Sequence, residues 1–165
     1  VYFMLEQITM DVYIDKNKNI ILAPYKECEA GYGVVVEPVM YIERQEWNNI
    51  SQYILDLLSE ILKDPVTEET ESTVFEKICG NRGFKQFSRK HICITVDQKF
   101  SDNKIIISHC PRVSDGSYGA EKGTISEKYS IEYVSEAEKD LVQENFLKAY
   151  LDAQRYLEAV GSKLL

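Results

Sequence analysis

An α+β domain, with a mainly antiparallel sheet of five or six strands packed against helices, is expected from three features of this 165-residue chain. Two β-branched runs, Ile92-Cys93-Ile94-Thr95-Val96 and Ile105-Ile106-Ile107, flank the polar segment Asp97 to Lys104, as two antiparallel strands joined by a loop do. Upstream, Thr9 to Ile14 alternates in part and is separated from Ile20-Ile21-Leu22 by the polar turn Lys16-Asn17-Lys18-Asn19, which reads as another hairpin. Near the C-terminus Val142, Phe146, Ala149, Ala153, Leu157 and Val160 form an apolar stripe at helical spacing. That stripe predicts a long C-terminal helix lying on the sheet.

Taken in order, the first hairpin is expected to end near Pro24, and Gly31-Tyr32-Gly33 opens a run from Val34 to Val36. Glu37-Pro38 interrupts it before Val39-Met40-Tyr41-Ile42, so this strand sits at an edge or bends at the proline. Asn49 or Ser51 caps a helix to about Lys63, with Ile50, Ile54, Leu57, Leu58, Ile61 and Leu62 on its apolar side. Asp64-Pro65 stops it, and Thr67 to Thr73 is a solvated acidic loop. A short helix from Ser72 or Thr73 ends at Gly80, and Phe84 and Phe87 mark a further helical turn.

Side-chain period sets the register of the central pair. With paired residue numbers summing to 201, Ile92, Ile94, Val96, Ile105 and Ile107 share one face. His91, Cys93, Thr95, Ile106 and Ser108 then share the other. After Cys110-Pro111 comes a polar, glycine-containing loop. Ser126 to Tyr133 reads as a strand with Tyr129, Ile131 and Tyr133 on one side. Ser135 and Glu138 have the spacing of a capping box for the last helix.

The length fits one domain spanning 1–165, long enough to bury a core. No apolar run reaches the roughly 20 residues of a membrane helix, and Val1 is not followed by a basic-then-apolar signal segment. Four cysteines, Cys28, Cys79, Cys93 and Cys110, lack close paired spacing, so reduced thiols and a cytoplasmic location are expected. A net charge of −8 repels nucleic acid and favours a basic partner.

The chemistry-bearing residues point away from catalysis. His91, Cys93, His109 and Cys110 cluster in sequence, but the register sends His109 to the face opposite the others, and a tetrahedral zinc site needs four converging ligands. A cysteine–histidine nucleophile needs an oriented base and an oxyanion site, and no such signature is present. No catalytic residue, cofactor or metal is expected. Gly80-Asn81-Arg82-Gly83 is a GxxG with Lys77, Lys85, Arg89 and Lys90 around it, the kind of loop with which KH domains hold single strands. Gln86 stands where an apolar residue is usual, and the acidic remainder opposes phosphate binding. A nucleic-acid-binding domain using this loop is the alternative function, and a small enzyme the less favoured one.

One family unites the pattern. Gly31-Tyr32-Gly33 before Val34 to Val36, a helix, Gly83-Phe84-Lys85-Gln86-Phe87, the strand pair Ile92 to Ile107, a glycine-containing loop, and a strand entering an acidic helix together resemble the CdiI-type immunity proteins of bacterial contact-dependent growth inhibition systems. The resemblance runs from about Tyr32 to Leu157. It implies a cytoplasmic, non-enzymatic antidote that binds the cognate CdiA C-terminal toxin domain, often a nuclease with a basic substrate site, and no nucleic acid or membrane. Loops on a rigid sheet are then the expected contacts: Asp115, Tyr118 and Glu121 in the loop from Cys110 to Thr124, Asp97 and Asp102 at the hairpin tip, and, separately, Tyr32. Tyrosine suits interface centres and carboxylates suit a basic partner. An exposed sheet edge accepting a toxin strand is the other mode of binding.

Overall fold

The computed structural model describes residues 5–68, 73–80 and 83–162. Among them are strands β1 (Gln7–Ile14), β2 (Ile20–Cys28), β3 (Gly33–Val35) and β4 (Met40–Ile42), then a 3-10 turn over Arg44–Asn49. Helix α1 (Ile50–Lys63), strand β5 (Val66–Thr67), and helices α2 (Val74–Cys79) and α3 (Gly83–Arg89) follow. The chain continues through β6 (Ile92–Lys99), β7 (Lys104–Cys110), α4 (Ile125–Lys128), β8 (Glu132–Glu136) and α5 (Lys139–Ala159). The sheet runs β3-β2-β1-β6-β7-β8, with β4 and β5 also paired to β2, and every pairing except β2 with β5 is antiparallel. Three of the eight strands have three residues or fewer, which is why five or six were legible as strands.

Period-two alternation makes two faces. Met10, Val12 and Ile14 of β1, Ile20 and Leu22 of β2, Ile92, Ile94 and Val96 of β6, and Ile105 and Ile107 of β7 are buried together against the apolar sides of α1 and α5. The central hairpin pairs Cys93 with Cys110 and Gln98 with Ile105, so its residue numbers sum to 203, not 201. A shift of two keeps every side chain on its expected face. The turn explains the shift. A sum of 201 would need a two-residue turn at Phe100-Ser101, where positive φ is disfavoured. The longer turn instead places Asn103 at φ 53, a conformation asparagine tolerates.

Several elements depart from expectation. Strand β2 passes through Pro24 to Cys28, because the proline, opposite Met10, needs no ladder donor there and its carbonyl accepts the Val36 N–H at 2.9 Å. The run beyond Gly33 does both things foreseen for it. It lies beside β2 as β3 and β4 and breaks at the cis Glu37-Pro38 bond. Ser126 to Tyr133 is not one strand: Ser126 Oγ accepts the Glu121 N–H at 3.0 Å and the Glu127 carboxylate accepts the Gly123 N–H. Those local bonds favour the helical turn α4 over an extended chain, and β8 begins only at Glu132.

The capping box at Ser135 does not form either. Ser135 is buried in β8 opposite Ile105, donates to the Leu141 carbonyl at 2.9 Å and accepts from Asn145 Nδ2, so α5 starts after Glu138. Val160 and Leu62, expected on apolar stripes, are exposed. The start of α1 is capped from α5: Gln143 Oε1 accepts the Ser51 N–H at 3.1 Å while its amide donates to the Trp47 carbonyl at 3.0 Å. Thr67 is paired in β5, and residues 69–72 of the expected acidic loop lie outside the described residues.

Candidate protein-binding surface

Among the described residues, the second face of the sheet is covered at one end only. There Ile78, Cys79 and Phe87 of α2 and α3 pack on Tyr13, Ala23, Val35 and Cys93, with Phe84 and Tyr118 against them. Toward the β6–β7 turn the face is open, and register lays its side chains out in rows. One row is Asp11, Thr95, Ser108, Glu132, and the next is Thr9, Asp97, Ile106, Val134. Glu132 and Val134 are exposed, and the other six are half-buried.

Hydroxyl groups organise the carboxylates. Tyr25 and Tyr13 donate to Asp11 Oδ2 at 2.9 and 3.1 Å, and Thr95 donates to Oδ1 at 3.3 Å. Burial raises the Asp11 carboxyl above its usual range against the pull of these three donors. Asp97 accepts from Thr9 Oγ1 at 2.7 Å, and burial, then the charge of Glu132, raises it as well. Burial and the Asp11 charge raise the Tyr13 and Tyr25 phenols, so both remain proton donors. A hollow of about 480 Å³ opens beside Asp11, lined by Thr9, Tyr25, Glu27, Gly31 and Gly33 among others. Carboxylates held at a higher energy among apolar and hydroxyl groups gain from an incoming cation. Exposed Val134 and half-buried Ile106 beside them supply apolar contact area.

The six residues expected to bind a partner fall into two groups. Asp97 is inside β6 on the open face and not at the hairpin tip. Asp102 is at that tip, exposed, accepting the Lys104 N–H at 3.3 Å. Tyr32, 49% exposed, lies between the two glycines that line the hollow. These three belong to one end of the sheet. Asp115, Tyr118 and Glu121 follow Cys110 at the other end, about seven residues of strand away, on the order of 20 Å.

Asp115 is exposed and folded onto its own loop, accepting the Ser117 N–H at 2.8 Å and the Ser117 hydroxyl at 2.5 Å. These bonds hold its carboxyl below the usual range. Tyr118 is half-buried, donates to the His91 carbonyl at 2.7 Å and meets Phe84 edge-on at 5.8 Å. Glu121 is exposed, and its carbonyl accepts the Thr124 N–H at 3.2 Å.

The fold has relatives among solved structures. One is a protein of unknown function from Neisseria meningitidis, 10% identical, with a TM-score of 0.58 over 90% of this chain and 97% of that one. A second is a chain of the CdiA-CT/CdiI toxin and immunity complex from Yersinia pseudotuberculosis, 9% identical, with a TM-score of 0.60 over 90% of this chain and 98% of that one. At such identities the likeness is one of fold. No protein-family model and no curated protein matches the sequence.

Asp11, Thr9, Thr95, Glu132 and Val134 escaped the sequence reading. The signal for Asp11 was present: it interrupts Met10, Val12 and Ile14 at an odd position of an alternating run. Its partners come from β2 and β6, which no local pattern could supply. Cys93 and Cys110 do share one face, with His109 buried on the other. Gly80 ends α2 with φ 68. Asn81 and Arg82, the centre of the GxxG loop, lie outside the described residues. No described helix is long and apolar enough to cross a membrane.

Proposed function

We propose that the protein is an immunity protein that binds the C-terminal toxin domain of a CdiA-type effector and neutralises it without catalysis. The observation that carries the reading is the fold held in common, over nearly the whole of both chains, with a chain of a CdiA-CT/CdiI complex. The open, acidic face adds a physical reason. A toxin that cleaves nucleic acid has a basic substrate site, and Asp97, Glu132 and Asp11 beside Ile106 and Val134 complement such a site in charge and in apolar area. A net charge of −8 speeds the encounter. The toxin docks on this face and at Tyr32 and Asp102, and occlusion of its active site ends its activity.

The test is coexpression with the CdiA-type C-terminal domain encoded beside this gene. The wild-type protein should restore growth and copurify with the toxin. An Asp97→Lys, Glu132→Lys variant should lose at least tenfold in association rate at low salt, with a smaller loss at high salt. Failure of the wild-type protein to rescue growth or to bind would overturn the reading. Full binding by the double variant would move the contact off the open face.

A further inference from the structure

Two arginines, Arg89 and Arg112, share a second concavity away from the open face. A cavity of about 220 Å³ lies where α3, the start of the Cys110–Thr124 loop and the end of α5 meet, and Ser88, Arg89, His91, His109, Arg112 and Tyr156 line it. Arg112 is half-buried, and its Nε donates to Oγ of Ser88 at 2.8 Å. Ser88 is fully buried, and its own hydroxyl proton goes to the Lys85 carbonyl at 3.0 Å. The guanidinium is thereby fixed by one edge. Among the described residues its two terminal amino groups have no hydrogen-bond partner, and no carboxylate lies within ion-pair distance. Asp115, a carboxylate that feels its charge, is turned onto Ser117. A partly desolvated arginine with a free fork is an unusual expense for a fold, since such groups are normally paired.

The histidines narrow the choice of partner. His91 Nδ1 and His109 Nδ1 each donate to a backbone carbonyl, those of Phe87 and Tyr129, at 2.9 and 3.2 Å. Burial lowers both rings, His109 to about 4, so each is neutral near pH 7, with Nε2 left as an acceptor. Paired donors on Arg112, a second cation on Arg89 and neutral acceptor nitrogens suit an oxyanion that also carries a proton. Phosphate and its monoesters near neutral pH fit that description, and the arginine fork matches their geometry. The volume is below the range of about 300–1,000 Å³ typical of drug-sized ligands, so the cavity takes a head group and not a whole nucleotide.

We infer that this cavity is a binding site for a phosphate group, inorganic or at the end of a small monoester, held by Arg112 and Arg89. It is independent of the toxin-binding reading and lies at the opposite end of the sheet from it.

Calorimetric titration of the full chain with sodium phosphate, with a nucleoside 5′-monophosphate and with sodium sulfate, at matched ionic strength, tests it. Saturable binding of phosphate or the monoester, and at least fivefold weaker binding of sulfate, is expected. Tighter binding of the monoester assigns an organic phosphate, and equal binding assigns the free ion, both in line with the proposal. Arg112→Gln should reduce affinity at least tenfold. Should that variant fail to fold, exposed Arg89→Gln should reduce affinity severalfold, while Lys148→Gln on the outer side of α5 leaves it unchanged. No saturable heat from either phosphate, sulfate binding as tightly, or full affinity in Arg89→Gln and in a folded Arg112→Gln would each overturn the site.

Discussion

Tyr25 on β2 donates its hydroxyl proton to Asp11 on β1 across 2.9 Å, where burial holds the accepting carboxyl above its ordinary pKa. The sign of the consequence follows from linkage. In the pH interval between the unfolded and folded pKa values, the folded state binds more protons, so stability falls as pH rises through it. The contribution is most favourable below the usual value of 3.8 and is lost above the folded pKa. Asp11→Asn keeps an acceptor for both tyrosines and removes the titration. Its unfolding free energy relative to wild type, from urea titrations across pH, should therefore rise between pH 4 and 7, by about 1.4 kcal/mol for each unit by which the pKa is raised. Parallel wild-type and variant curves would show that Asp11 titrates as it does in the unfolded chain.

Tyr118 was expected at the partner interface, and its surroundings predict a second effect that can be measured apart from binding. Its hydroxyl donates to the His91 carbonyl at 2.7 Å and its ring lies 5.9 Å from Tyr13. Tyr118→Phe leaves that carbonyl short of a partner at a cost of about 1 kcal/mol. Urea unfolding should record that loss with an unchanged m-value, while affinity for the proposed toxin partner stays within twofold. A tenfold drop in affinity with stability intact would instead put the Tyr118 hydroxyl in contact with the partner.

What could be read from sequence was what period and local chemistry decide. The faces of β6 and β7 follow from alternation alone and survived a two-residue error in register, because parity is unchanged. Helices α1 and α5 announce themselves by apolar spacing. Ser135 misled because a serine three residues before a glutamate is a cap only if the serine is free to turn; its side chain is committed to Leu141 and Asn145. The same limit hid the open face. Asp11 meets Thr95, 84 positions on in the chain, and nothing near either residue signals the other.

Trp47, the single tryptophan, reports on the join between α5 and the start of α1. Its ring lies 4.8 Å from Tyr150 and 5.4 Å from Phe146, and Phe146 is fully buried. Phe146→Ala should cost about 3–5 kcal/mol through lost burial and the cavity left behind. The native tryptophan emission should shift to the red before any unfolding, since water gains access to one side of the indole. Emission unchanged in a destabilised variant would mean that neighbouring side chains close the gap.

The four thiols should differ sharply in reactivity, and the reason lies in one pairing. Cys93 and Cys110 face each other across β6 and β7, where the Cys93 S–H is placed to donate to a thiolate on Cys110. That interaction holds the Cys110 pKa below the ordinary value, whereas burial pushes Cys93 well above it and Cys79 up as well. Cys110 is also the one half-buried thiol, the other three being buried. Reaction follows thiolate fraction and access. Iodoacetamide at pH 7.5 should therefore alkylate Cys110 first, read by peptide mass spectrometry, with Cys28, Cys79 and Cys93 reacting only in denaturant. Cys93→Ser keeps a donor and should leave the Cys110 rate nearly unchanged, while Cys93→Ala should slow it severalfold. Equal labelling of all four in the native protein, or a Cys110 rate indifferent to alanine at 93, would remove the hydrogen bond as the cause.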